Sequence, residues 1–421
     1  MLAHRGLFLN TCPMTLDTAW VRAQFPAFDE PSLQSQAFFE NAGGSYTCKP
    51  VIDRLTRFYT QRKVQPYASY PASALGGEEM DEARARLAAL LGVETDELSF
   101  GPSTTQNTYV LAQAFGQLLQ PGEAIIVTNQ DHEANTGPWR RLADRGIEVL
   151  EWQIDPETGA LDLEDLEDLL DEKVRLVCFP HCSNVVGQVN PVVEITARAH
   201  AAGAFVCVDG VSYAPHGFAD VGTMGPDIYL FSAYKTYGPH QGIMVIRRDL
   251  GELLPNQGHV FNGDTLYKRF TPAGPDHAQV AACAGMADYI DAAYAHHHVG
   301  GDASAPQRAQ AVHDLMRAHE TALLQPLLDA LKARNSVRLL GPDQARGRAP
   351  TVAVALNRAG FDVAADLSRH GIMAGGGDFY AGRALKAMGV DADKGVLRLS
   401  FTHYTSKAEV DQLLNALDDV L

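Results

Sequence analysis

Four short apolar runs are each followed at once by residues able to do chemistry. The run at 125–127 leads to TNQDHEAN with His132, and 174–179 leads to HCSN with Asn184. The run at 204–208 leads to Asp209, and 228–231 leads to Ser232, Tyr234 and Lys235 in FSAYKTYGP. A fifth cluster, Ser103, Thr104 and Thr105, opens a helical segment behind Gly-Pro. Hydroxyls at a helix N-terminus suit a phosphate, because unpaired N–H groups and the helix dipole both favour an anion there. A carboxylate directly after a buried strand, Asp209, can hold a positive ring nitrogen, and His132 can stack on an aromatic ring. An amine taken partly out of water, Lys235, has a lowered pKa and can form a Schiff base with an aldehyde. Phosphate, protonated pyridine nitrogen and aldehyde together describe pyridoxal 5′-phosphate (PLP). Taken singly, each residue also has a commonplace role: a solvated lysine, an Asp-Gly turn, a helix cap, a loop histidine. The ordered combination is what points to the cofactor. Neither a Walker A nor a GxGxxG pattern occurs, so a nucleotide is not the expected ligand.

Positioning these residues falls to alternating helices and strands between about 80 and 250. Strands are expected at 125–127, 147–150, 174–179, 204–208, 228–231 and 243–246, with helices at DEARARLAALL, after GPSTTQN, at WRRLADRG (139–146), at DLEDLEDLLD (162–171) and behind Asn190-Pro191. Asn190 is expected to cap that last helix. Strands apolar throughout and separated by helices predict a mainly parallel sheet covered on both faces, a doubly wound α/β domain. Ligands of such sheets bind beyond the carboxyl ends of the strands, where the five clusters fall. After about 285 the texture changes to a helical stretch reaching 334, then strand TVAVAL (351–356), a glycine-rich loop AGGGDFYAG (374–382) and strand VLRLSF (396–401). A final helix opens with a capping box, Ser406 and Glu409. The expected division is an N-terminal arm (1–35), a large α/β domain (36–285) and a smaller α+β domain (286–421).

The chain has 421 residues, a net charge of −17 and no basic stripe, which disfavours nucleic acid and anionic membranes as partners. No apolar run is long enough to span a bilayer. MLAHRGLFLN lacks the apolar core and cleavage site of a signal peptide, and Met14 is a second candidate start, which would make 1–13 a leader. The six cysteines (12, 48, 178, 182, 207, 283) show no disulfide spacing and suit a reducing cytoplasm. CFPHC (178–182) lacks a second ligand pair, and His296–His298 beside Gly300-Gly301 reads as a helix end, so no metal is expected.

The order His132, Asn184, Asp209, Lys235, with DHEANTGPW, HCSNVVGQVNPV, VCVDGVSYAPH and FSAYKTYGP around them, resembles the class V aminotransferase family of PLP enzymes, most closely its cysteine desulfurase branch. The similarity runs from FFENAGG (38–44) to the last helix. It implies PLP-dependent transferase fold type I and a homodimer with active sites at the interface. By this resemblance Lys235 carries the cofactor and later moves the Cα proton, Asp209 meets the ring nitrogen and His132 stacks on the ring. Ser103, Thr104, Thr105, Ser232 and Tyr234 lie by the phosphate, and Ser212 stands where the family often has a glutamine near the phenolic oxygen. Asn184 and Arg398 match positions binding the substrate carboxylate, with Asn41 and Gly43 of FFENAGG beside the substrate. Three departures stand out. Tyr380 takes the place of the desulfurase cysteine, Gly375 that of a substrate-binding arginine, and Gly274 or Pro275 that of a phosphate-binding threonine lent by the neighbouring subunit. An enzyme acting at the α-amino group or Cα of an amino acid is thus expected, aminotransferase-like and not persulfide-forming. A C–S or C–C lyase and a non-catalytic PLP-binding sensor are the alternatives.

Overall fold

The computed structural model describes residues 15–298 and 302–421; Cys12, Met14 and Gly300–Gly301 fall outside them. Thirteen strands form among the described residues. They are β1 Ala37–Phe38, β2 Leu98–Gly101, β3 Ala124–Thr128, β4 Glu148–Trp152, β5 Val174–Pro180, β6 Phe205–Asp209, β7 Ile228–Ser232, β8 Gly242–Ile246, β9 Val337–Leu340, β10 Thr351–Leu356, β11 Ile372–Met373, β12 Gly375–Gly377 and β13 Val396–Ser400. In β5 successive side chains part to opposite faces, as the strand period requires. Leu176 and Cys178 pack with Ile125, Val127, Cys207 and Leu230, while Val177 and Phe179 pack with Ile126, Val206, Val208 and Phe231. A strand apolar on both faces belongs inside a sheet with a core on either side.

Seven strands make that sheet, in the order β2-β8-β7-β6-β5-β3-β4. All neighbours are parallel except β8, which runs antiparallel to both β2 and β7. Two antiparallel steps restore direction, so β2, β3, β5, β6 and β7 all end on one edge. The expected mainly parallel α/β architecture is therefore present. The second sheet, order β12-β13-β10-β9, is antiparallel, and β1 pairs with β11 beside it.

Several local expectations change. β2 was not foreseen: LSFG is short, carries a buried Ser99 whose hydroxyl donates to Tyr267 O, and pairs only with β8. WRRLADRG is not one helix but an α-turn, Gly137–Arg140, and a 3-10 segment, Arg141–Arg145, stopped by Gly146 at φ 81°. Asn190 is not a helix cap. Its side chain donates to Gln130 Oε1 and Pro180 O at 2.7 Å each, and the helix starts at Val192 behind Pro191. The stretch 374–382 is not all loop, since Gly375–Gly377 pairs with Val396–Arg398 as edge strand β12. The capping box on Lys407–Val420 is present as expected.

One helix reaches both cores. Ala305–Lys332 sends Ala309, Val312 and Met316 into the core under the large sheet, and Leu323, Leu324, Leu327, Leu328 and Leu331 into that of the small sheet. At the changeover the buried Glu320 accepts from Arg317 at 2.8 Å and lies 3.0 Å from His216 Nδ1. No helix among the described residues is long and apolar enough to cross a membrane.

Candidate active site

The shared edge of β2, β3, β5, β6 and β7 delivers the expected residues to one place. A cavity of about 570 Å³ opens there, lined by Glu40, Gly43, Thr105, His132, Asn184, Tyr234, Lys235, Tyr380 and Arg398, among others. Below it a narrow cleft is walled by Thr104, Thr105, Asp131, His132, Asp209, Ser212, Ser232, Tyr234 and Lys235. Lys235 ends a 3-10 turn that follows β7 directly, so its half-buried amine is aimed by the strand. Burial, then Arg398, pulls that amine down to about 8, against the opposing pull of Asp209 and Glu40.

Asp209 closes β6, is only 5% exposed, and accepts from Val211 N at 2.8 Å. Burial pushes its carboxyl up to about 6, while the Val211 N–H and Lys235 favour the charged form. Asp131 lies beside it with two acceptor contacts, from His132 N at 2.9 Å and Asn135 Nδ2 at 2.6 Å. Burial and then Asp209 itself hold Asp131 well above the usual carboxylate range. His132 accepts from Ala134 N through Nδ1 at 3.0 Å, which leaves the ring proton on Nε2 when the ring is neutral. Burial, Lys235 and Arg398 bring its pKa down to about 4, so the imidazole is neutral near pH 7.

The hydroxyl cluster divides. Thr104 and Ser232 are buried and joined by a hydrogen bond of 2.8 Å, and Thr105 faces the cavity. Ser103 is off the cavity wall, its hydroxyl accepting from Gln106 N to cap the helix Thr104–Leu118. Tyr234 stacks on His240 with centroids 4.7 Å apart. Asn41 is also turned away, accepting from the Tyr404 hydroxyl, whereas Gly43 is on the wall.

The second sheet supplies the far wall. Arg398 on β13 donates through Nη1 to Asn184 O at 3.2 Å and through Nη2 to Glu40 Oε1 at 2.6 Å, with its guanidinium 3.8 Å from the Phe379 ring centre. Asn184 Nδ2 donates to Phe379 O at 2.9 Å, and Glu133 N donates to Tyr380 O at 2.8 Å. Phe379 and Tyr380 both take left-handed backbone, φ 53° and 56°, uncommon for residues with a Cβ. Tyr380 is 71% exposed, its ring 5.2 Å from that of His132. Glu40, Asp131 and Phe379 were not singled out from the sequence. Glu40 and Asp131 had a signal, each standing directly before a residue that was; Phe379 stands directly before Tyr380 in the same way.

Of the cysteines, Cys182 borders the cleft. Its thiol faces the carbonyls of Ser183 and Gly187, and burial pushes it up to about 12. His181 of the same CFPHC segment bonds the Tyr229 hydroxyl at 2.9 Å.

The donor set fits PLP: an amine of lowered pKa for its aldehyde, a buried carboxyl for its ring nitrogen, and hydroxyls at a helix N-terminus for its phosphate. Among the described residues Asn184 Oδ1 is buried without a hydrogen-bond partner on this wall, an acceptor left for a ligand.

The family model for aminotransferase class-V matches residues 37–293 and 299–413. The chain is 33% identical over 416 residues to an aminotransferase-like protein, FGM3, of Gibberella zeae, covering 95% of this chain and 98% of that protein. It is 30% identical over 419 residues to a cysteine desulfurase of Serratia proteamaculans, covering 95% and 97%. Among solved structures it is similar to the Escherichia coli cysteine desulfurase CsdA, with TM-score 0.80, 26% identity and coverage of 96% and 98%. The fold of a Thermococcus onnurineus cysteine desulfurase also matches, with TM-score 0.83 at 24% identity and coverage of 96% and 98%. With matches of this extent, the chain belongs to the class-V aminotransferase family and is, as that family is, a PLP-dependent enzyme.

Proposed function

We propose that this enzyme acts at the α-amino group or Cα of an amino acid by transamination and forms no persulfide. The observation that carries the reading is the pairing of Lys235, an amine beside a buried carboxyl, with an opposing loop whose exposed tip is Tyr380. PLP supplies an electron sink for the pair released when a bond to Cα breaks. Lys235 Nζ, neutral above about pH 8, takes and returns the Cα proton. Asp209 would keep the ring nitrogen of PLP charged, and His132 would offer a neutral ring face for stacking. Thr104, Thr105, Ser232 and Tyr234 would hold the phosphate of PLP, Ser103 acting through the helix it caps, and Ser212 on the same cleft would serve its phenolic oxygen. Arg398 receives the substrate carboxylate, and Asn184, its Nδ2 held by Phe379 O, turns a free Oδ1 acceptor to the substrate from the same wall. Tyr380 covers the substrate, with Gly43 on the same cavity wall and Asn41 held by Tyr404.

A persulfide needs a reactive thiolate on a mobile segment. Cys182 is a protonated thiol turned toward backbone carbonyls, the opposite environment. The relative named aminotransferase-like supports the same reading. We place the enzyme in the cytoplasm as a homodimer; Val260 and Phe261, 93% and 83% exposed, offer apolar surface for a second copy.

The test is a single-turnover titration of the PLP-loaded enzyme with an amino-acid panel. The expected result is a keto acid stoichiometric with enzyme, loss of the visible cofactor band, and no such band in Lys235→Ala. Turnover without an amino acceptor would establish the lyase reading instead. Alanine formed catalytically from L-cysteine, with sulfide released on adding a thiol reductant, would overturn the exclusion of persulfide chemistry, whereas sulfide with pyruvate would support the lyase reading.

A further inference from the structure

Arg398 would serve a substrate carboxylate, yet in this chain it is already paired, through Nη2, with Glu40. Glu40 stands there because residue 375 is glycine. Gly375 on β12 lies opposite Arg398 on β13, and a Cβ on it would come within 2.6 Å of Glu40 Oε2 and 2.8 Å of Glu40 Cδ. The space above Gly375, where any side chain at this position would start, is thus filled by a carboxylate. Among the described residues, Glu40 Oε2 and Arg398 Nε are both buried without a hydrogen-bond partner, and both residues line the cavity that holds Lys235. One unused acceptor and one unused donor therefore belong to the same cavity wall. A buried polar group without a partner is costly, and a ligand that satisfies it is favoured accordingly.

Lys235, Arg141 and Glu133 share the cavity with the Glu40–Arg398 pair, but the unpartnered acceptor belongs to the pair, and the pair's own charge bears on what that ligand carries. Glu40 and Arg398 cancel each other. A substrate carboxylate on the free edge of Arg398 leaves the pair one negative charge in excess, in a cavity wall of low dielectric. A second carboxylate doubles the excess. A cationic side chain on Glu40 Oε2 removes it, giving an alternating array of carboxylate, guanidinium, carboxylate and cation.

We infer that Glu40, admitted by Gly375, is a specificity residue that receives a cationic, N–H-donating side-chain group, so that the substrate is a basic amino acid. This rests on the amino-acid reading above. The step is recognition alone: Glu40 Oε2 accepts a hydrogen bond and no covalent bond changes.

The experiment measures dissociation constants by calorimetry, and the cofactor absorbance change, for the PLP-loaded enzyme with L-lysine, L-ornithine, L-arginine, L-norleucine and L-glutamate. At least one basic amino acid should bind about tenfold or more tighter than norleucine, the worth of one charge-assisted hydrogen bond, with glutamate weakest. Glu40→Gln should cut the ratio of basic to neutral affinity by a similar factor. Gly375→Ala, whose Cβ forces the Glu40 carboxylate to shift without altering charge, should lower the same ratio and serves if E40Q fails to fold. Norleucine or glutamate binding as well as the basic amino acids, or a ratio unmoved in both variants, overturns the inference while the amino-acid reading stands. If no amino acid perturbs the cofactor band, the amino-acid reading itself falls and the inference with it.

Discussion

Lys235 is governed by three neighbours of mixed sign, and this gives its chemistry a pH dependence. Burial and Arg398 favour the neutral amine, Asp209 and Glu40 the charged one, with a balance near 8. Only the neutral amine attacks an aldehyde, so the rate at which apoenzyme couples to PLP should rise with pH and level off above about 8. Asp209→Asn removes a charge that stabilises the ammonium, so the midpoint of that profile should move to lower pH. Stopped-flow absorbance over a pH series reads both, and an unmoved midpoint in the variant would separate Asp209 from the lysine. His132, Asp209 and Lys235 were legible in the sequence because each lies at the end of an apolar strand or within four residues beyond it, and parallel strands share an edge. Glu40 was not legible in that way. Its partner Arg398 is 358 positions away, and the pairing is created only when the segment after β1 docks beside β11 and the end of β13.

Among the elements, the parallel strands could be read directly, since a buried strand shows as an unbroken apolar run. The edges could not. β12 is three glycines, and nothing in side-chain pattern distinguishes such a strand from a loop; its identity lies in backbone pairing to Val396–Arg398. Gly376 is required by contact, Gly377 by a backbone φ of 148° with open space around it. A Cβ at 376 would come 2.2 Å from Gly360 C and Phe361 N, where the helix Gly360–Ser368 begins against the strand. Backbone atoms on both sides leave little room to yield. Gly376→Ala should destabilise the protein by about 1–3 kcal/mol, seen as a lower denaturation midpoint in urea with an unchanged slope. The left-handed pair Phe379–Tyr380 follows this strand and carries the Tyr380 carbonyl that accepts from Glu133. A shifted strand would misplace the loop tip too, so KM in the same variant should rise.

The whole molecule is tied together at Glu320, where the long helix passes from one core to the other. Burial alone would raise this carboxyl, but His216 and Arg317 overcome it and hold it at about 2, below the ordinary 4.5. A folded value below the unfolded one stabilises the native state at pH above 4.5, and the contribution is lost as pH falls toward 2. Glu320→Ala should therefore cost about 3 kcal/mol at neutral pH, the usual price of breaking a buried pair. The gap between variant and native protein should narrow over the acid window, which denaturant titrations at several pH values would check. The helix itself has a broader consequence. At 28 residues it is about 42 Å long, and its two halves are rooted in different cores. Neither sheet can melt and leave that helix intact. Heat should consequently register as one endotherm, and a ligand touching only the strand ends of the large sheet should raise the melting point of the small one.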